Sequence, residues 1–151
     1  MIAQPQPSQI YSQNEYLDFE TASDQRHEFL DGDIVPMTGG TPNHNRVIRN
    51  VCTALTVGLH GKLYETFIAD QRLWIPQRNI YTYPDVMVIQ GKLVYQEGRK
   101  DTLMNPLVII EVLSKSTRDY DRGEKFLAYR TIPSFQEYVL IDQYTCHVEH
   151  Y

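Results

Sequence analysis

Tyr83-Pro84-Asp85-Val86-Met87-Val88-Ile89 and Leu107-Val108-Ile109-Ile110-Glu111-Val112-Leu113 are the two stretches on which the reading of this chain turns. Each is short and apolar on both faces, the pattern of a strand inside a sheet with both sides covered. Each nevertheless carries one carboxylate, Asp85 and Glu111, 26 positions apart. An ionised acid in such a place is costly unless a metal ion or a cationic side chain compensates it. Pro84 is tolerated at the first residue of a strand, where no ladder donor is needed. Asp85 therefore falls at a strand end. Alternation puts Asp85, Met87 and Ile89 on one face, and Leu107, Ile109, Glu111 and Leu113 on one face of the second strand. If the strands are neighbours, the two carboxylates lie ~5 Å apart across the ladder. Their repulsion is relieved by a divalent cation, and hard cations such as Mg²⁺ prefer oxygen ligands. The plainer alternative is that each acid makes its own buried ion pair with an arginine or lysine.

The lysine that would serve such a site is not two residues after Glu111, where Leu113 stands. Lys115 has the right parity but lies about 13 Å further along an extended chain. Lys125 fits better. A helix is expected over Asp119 to Thr131, with Arg122, Phe126 and Tyr129 as its sheet-facing stripe. Lys125 borders that stripe and can send its ammonium toward the strand ends. The alternative for Lys125 is an exposed pair with Asp121, four residues earlier. Glu28, beside apolar Phe29 and Leu30, and His44, on the apolar face of another expected helix, are secondary candidates. A histidine on such a face more commonly reads as a hydrogen-bonded core residue. Asp70 and Gln71 are weaker still. His147 and His150 fall on opposite faces of a strand, which argues against a metal pair.

Outward from these stretches, Tyr11 to Ala22 reads as a short helix. Arg26 to Met37 reads as a hairpin turning at Asp31-Gly32. Thr41-Pro42 starts a helix, with Thr41 as cap and Pro42 in the first turn. Val47, Ile48, Val51, Leu55 and Leu59 carry it at helical spacing to Gly61. Tyr64 to Ala69 and Gln71 to Pro76 read as strands, and Asn79 to Thr82 as a turn. Gln90 to Pro106 reads as a surface excursion. Glu137 to Ile141 is a strand, and His147 to Tyr151 begins another with no partner after it. The pattern stops midway, so the natural product is expected to be longer.

The length of 151 residues suits one domain with a real core. The expected layout is a disordered lead-in over residues 1–11 and a single domain over 12–151, cut short at its C-terminus. No apolar run reaches the ~20 residues of a membrane-spanning helix, and the first residues lack the regions of a signal peptide. Cys52 and Cys146 have no paired spacing, which argues against a disulfide framework or a cysteine-based zinc site. The cytoplasm is the expected compartment. A net charge of −5 weighs mildly against nucleic-acid binding, although an acidic metal site would itself lower the total. Lys115, Arg118, Arg122, Lys125 and Arg130 form one local basic patch.

Taken together, several segments resemble the Uma-two family over residues 12 to 151. They are Tyr83-Pro84-Asp85 before an apolar strand, Ile110-Glu111-Val112-Leu113-Ser114, and Ser116-Thr117-Arg118-Asp119-Tyr120-Asp121 leading into a helix with Lys125 and Tyr129. Pro133-x-x-x-Glu137-Tyr138, and the run from Glu28 through Asp31-Gly32 to His44, belong to the same set. That family is assigned to the PD-(D/E)XK nuclease superfamily, with the restriction-endonuclease-like fold. The resemblance implies that Asp85 is the motif aspartate, Glu111 its (D/E), Lys125 the lysine displaced onto the following helix, and Glu28 an extra acid. Its pattern runs on past residue 151.

The expectation is thus an α/β domain with a central mixed sheet and helices on both faces. The expected activity is Mg²⁺-dependent hydrolysis (Mn²⁺ as substitute) of phosphodiesters in DNA. Asp85, Glu111 and the Val112 carbonyl would hold the ion, Lys125 and Glu28 would assist, and Arg118, Arg122 and Arg130 would hold the backbone. Dimerisation is open, since many nucleases that cut both strands are dimers. The competing expectation is a catalytically inactive module of the same fold, its charges fixing the core and its function lying in association with protein or nucleic acid.

Overall fold

The computed structural model describes residues 9–151. Of the expected lead-in, residues 1–8 lie outside the described residues. Tyr11 does not belong to a loose leader: its N–H donates to Gly32 O at 2.9 Å and its ring packs beside the aromatic core of Tyr16, Phe29 and Tyr81.

The element order is α1 (Gln13–Ala22), β1 (His27–Leu30), β2 (Asp33–Pro36), α2 (Pro42–Gly58), β3 (Tyr64–Ile68), β4 (Arg72–Ile75), β5 (Ile80–Thr82), β6 (Val86–Gln90), β7 (Thr102–Leu103), β8 (Val108–Leu113), α3 (Arg118–Arg122), α4 (Glu124–Tyr129), β9 (Glu137–Asp142) and β10 (Val148–His150). The strands form two five-stranded mixed sheets, ordered β2-β1-β5-β4-β7 and β10-β9-β8-β6-β3. The fold is α/β and of the expected class, but a second sheet accompanies the central one.

Local chemistry explains the elements that frame the site. Ser12 and Glu15 close a reciprocal capping box at the start of α1. Asp31 and Gly32 both take positive φ, at 48° and 109°, as a two-residue hairpin between right-twisted strands requires. Thr41 caps α2 by accepting the His44 N–H.

Packing makes layers. Tyr16 and Leu17 of α1 cover one face of the first sheet through Phe29, Trp74 and Tyr81. Ile48 of α2 covers one face of the second through Val86, Ile110 and Val112. Between the sheets lies the main core: Leu73, Ile75, Met87, Ile89, Leu103, Ile109, Leu113 and Leu140, with Ala128 and Tyr129 of α4. The strands β6 and β8 are internal to the second sheet, as their two-faced apolar runs require.

Three expectations are corrected. Residues 80–82 form β5 rather than a turn, because Ile80 and Tyr81 pair with both β1 and β4 and Thr82 pairs with β4; the turn is the short 3₁₀ segment Pro76–Arg78 just before it. The excursion over 90–106 dips inward at β7, where Thr102 is fully buried and Leu103 pairs with Leu73. The expected helix from Asp119 breaks at Gly123 into α3 and α4. The last expected strand is β10, which runs antiparallel to β9 at the edge of its sheet.

Candidate active site

The chain passes from the first sheet to the second through Tyr83, Pro84 and Asp85, between β5 and β6. The register Val86↔Ile110 continues by one step to set Asp85 opposite Glu111. The two residues clasp each other: Asp85 N–H donates to Glu111 Oε2 at 3.3 Å, and Val112 N–H donates to Asp85 Oδ2 at 2.8 Å. From α2, His44 Nε2 lies 3.3 Å from Asp85 Oδ2.

Lys125 comes to the same point from α4. Its Nζ is 3.0 Å from Glu111 Oε1, 3.6 Å from Glu28 Oε1 and 3.7 Å from Asp121 Oδ1. Tyr129 OH donates to Glu111 Oε1 at 2.6 Å. Glu28 arrives from β1 in the other sheet and accepts a hydrogen bond from Thr82. All of these side chains except Thr82 and Tyr129 line one cleft of about 560 Å³. Asp85, Glu111, Lys125, Glu28, Val112 and His44, picked from the sequence, are therefore brought together.

The electrostatics are those of a desolvated, acid-rich pocket. Burial pushes the Glu111 carboxyl up to about 8, and the nearby charges of Asp85 and Asp121 push the same way against the opposing pull of Lys125. Burial likewise raises Asp121. Burial alone would lower Lys125, but Glu111, Tyr129, Glu28 and Asp121 together hold it well above the usual range, so it stays cationic. His44 is raised by its bond to Asp85, against the effect of its own burial. Four acidic side chains (Glu28, Asp85, Glu111 and Asp121) thus crowd around one lysine and one histidine, and a proton on Glu111 relieves part of their mutual repulsion.

A divalent cation fits this donor set in one specific way. Among the described residues, no three His, Cys, Asp or Glu side chains converge as a closed metal cage. Asp85 Oδ1, by contrast, accepts no hydrogen bond from the described residues, and Glu111 Oε2 accepts one long bond from Asp85 N–H. Two carboxylates and retained water are the usual holding of Mg²⁺, which gives up its hydration reluctantly.

The arginine expectations are corrected. None of Arg118, Arg122 and Arg130 lines the cleft. Arg122 is turned outward by the break at Gly123 and grips Glu149 of β10 with Nη2 at 2.6 Å and Nε at 3.1 Å. Arg130 is exposed, its guanidinium 5.8 Å from the Phe126 ring centroid. Arg118 Nε is buried with no hydrogen-bond partner among the described residues. The buried stripe is Lys125, Ala128 and Tyr129, so Lys125 lies at its centre and not its border.

Two site residues were missed in the sequence. Asp121, read as an exposed partner for Lys125, is 3 % exposed and accepts the Thr117 hydroxyl at 2.7 Å. Tyr129, expected on the sheet-facing stripe, also supplies a hydrogen-bond donor to Glu111. Their spacing of four on either side of Lys125 was the available signal. A supporting network lies behind them. Buried Glu20 accepts the His27 N–H at 3.0 Å and the Tyr83 hydroxyl at 2.9 Å, tying α1 to the segment that presents Asp85.

An acid pair at the end of an internal strand pair, with a lysine from the next helix, defines an α/β protein of the restriction-endonuclease-like class. The chain belongs to the Uma2 (Uma-two) family, described as "Putative restriction endonuclease", whose pattern matches residues 13–151. Two uncharacterized proteins of Synechocystis sp. are similar along most of their length. One is 42 % identical over 144 residues, covering 95 % of this chain and 81 % of the relative. The other is 34 % identical over 142 residues, covering 93 % and 73 %. A crystal structure from Anabaena variabilis, described as a "putative nuclease belonging to DUF820", superposes with a TM-score of 0.74 at 18 % identity, over 91 % of this chain and 77 % of that one. At that identity the likeness is one of fold. No described helix is long and apolar enough to cross a membrane.

Proposed function

We propose that this protein is a divalent-metal-dependent endonuclease that hydrolyses phosphodiester bonds in DNA. The observation that carries the reading is the meeting of Asp85, Glu111 and Lys125, from the β5–β6 connection, β8 and α4, in one cleft. Asp85 and Glu111 would hold Mg²⁺, with Mn²⁺ as substitute. Val112 supports a third ligand, since its N–H already points to Asp85 and a strand residue's carbonyl leaves on the same side as its N–H. When bound, the ion supplies charge stabilisation at the phosphate oxygens and a more acidic water.

The remaining work falls to the chain itself. Lys125, cationic and fixed by Glu111 and Asp121, presents a positive charge where negative charge accumulates on phosphorus. Tyr129 holds Glu111 so that its other oxygen faces the cleft. Glu28, within reach of Lys125, is placed to accept a proton from a bound water. His44 orients Asp85 and can carry a proton at Nε2.

The second reading is an inactive module with the same charges as a core-fixing network. It draws on the direct bonds that Lys125 and Tyr129 already make to Glu111 Oε1. Titration with Mg²⁺ or Mn²⁺ followed by thermal melting separates the two. Ion binding to the native state raises the melting temperature of wild type, and much less that of Asp85→Ala. An equal response in both proteins would remove the nuclease reading. Mg²⁺-dependent cutting of DNA, lost in Asp85→Ala and Glu111→Gln, would establish it.

A further inference from the structure

The cleft is small for the polymer it is proposed to cut. About 560 Å³ is the size of a small-ligand site. Glu111 and Lys125 are only 3 % and 8 % exposed, so a phosphate has to enter the cleft to meet them. The lining comes from both sheets: Val35, Pro36 and Met37 at the end of β2, and the loop after β8 with Tyr144 of the β9–β10 turn.

The charge at the mouth points the same way. Among the described residues lining the cleft, His44 is committed to Asp85 and Lys125 to Glu111, which leaves Lys115 as the free cation. Proteins that track a duplex rely on many phosphate contacts, about 6–10 in strong cases. Lys115 instead stands with its Nζ 5.5 Å from the centroid of the Tyr144 ring, and Tyr144 is 51 % exposed. An exposed ring beside a lone cation is the pairing that single-stranded binders use, a base on the ring and a phosphate on the ammonium.

We propose that the cleft takes single-stranded nucleic acid, one phosphate at the Asp85–Glu111 floor, an unpaired base stacked on Tyr144 and the adjoining phosphate on Lys115. This rests on the nuclease reading above. The test is fluorescence anisotropy on wild-type protein with Ca²⁺ in place of Mg²⁺, gels confirming that the probes stay intact, and labelled oligonucleotides: single-stranded DNA, single-stranded RNA and a DNA duplex of the same sequence. Single strands are expected to bind at least about tenfold tighter than duplex, and Tyr144→Ala to weaken them by about tenfold. The slope of log K against log salt should be near −1, about −0.7 per phosphate engaged, and shallower in Lys115→Ala. The DNA and RNA arms show whether the sugar matters. Equal or tighter duplex binding, a slope near −5, or unchanged affinity in both variants would overturn the proposal. In a parallel assay of the wild type, Mg²⁺-dependent cutting of duplex but not of single strands would overturn it and leave the nuclease reading standing. Single-strand binding without any cutting would support the ligand and remove the nuclease reading. No binding and no cutting would remove both.

Discussion

Replacing Lys125 with methionine keeps the length of the side chain and deletes its charge. In the wild type, Nζ sits within 3.0 Å of Glu111, 3.6 Å of Glu28 and 3.7 Å of Asp121, and the lysine is 8 % exposed. Removing one partner from a buried pair costs about 3–5 kcal/mol, most of it from the charge left behind. At about 2–4 °C per kcal/mol for a domain of this length, the melting temperature should fall by about 6–20 °C. Protonation limits the loss. Burial already lifts Glu111 to about 8, so in acid it takes up a proton rather than remaining a bare anion. The loss should therefore be clearly smaller near pH 5.5 than near pH 8.5, the two sides of the titration. Adding Glu111→Gln to Lys125→Met removes the stranded charge and should recover most of the stability. Thermal melts of the three proteins by circular dichroism at both pH values decide the matter. A drop below about 2 °C in the single variant, or no recovery in the double, would show that the two charges are not a desolvated pair.

Glu111 also governs the pH dependence of the wild type without metal. Its carboxyl holds a proton up to about 8 when folded against 4.5 when free, so its contribution to stability is complete below 4.5 and lost as pH rises through 8; Glu111→Gln should flatten that slope in a series of melts. Arg122→Ala should cost at most about 1 kcal/mol, as for other partly exposed pairs, and leave nucleic-acid affinity unchanged, because Arg122 is held by Glu149 and lies outside the cleft; an anisotropy titration that showed weakened binding would contradict that placement. Gly123→Ala brings a Cβ to 3.1 Å from Asp119 O, so a destabilisation of about 1–3 kcal/mol is expected, read as a lower denaturation midpoint in urea.

The convergence of acids in the cleft was legible because those residues contradict their surroundings. Asp85 and Glu111 interrupt runs that burial otherwise fills with Val, Ile and Leu, and that conflict shows without coordinates. The same logic found the Asp31-Gly32 turn and the Thr41 cap, where backbone geometry admits few residues. What stayed hidden depended on contacts distant in sequence. Ile80-Tyr81-Thr82 is too short to announce a strand and becomes one by lying between β1 and β4. Leu103 is apolar in a polar stretch, and only pairing with β4 draws it inside. The break at Gly123 rotates Arg122 away from Lys125, and helical spacing assumes an unbroken axis. The basic patch in the sequence therefore scattered over several directions in space.

Glu28 belongs to one sheet and Glu111 to the other, with Asp85 on the span that joins them. Whatever occupies the cleft is thus a rivet between the two halves of the protein. Loading it and holding the halves together are one thermodynamic event, so each stiffens the other to the same degree.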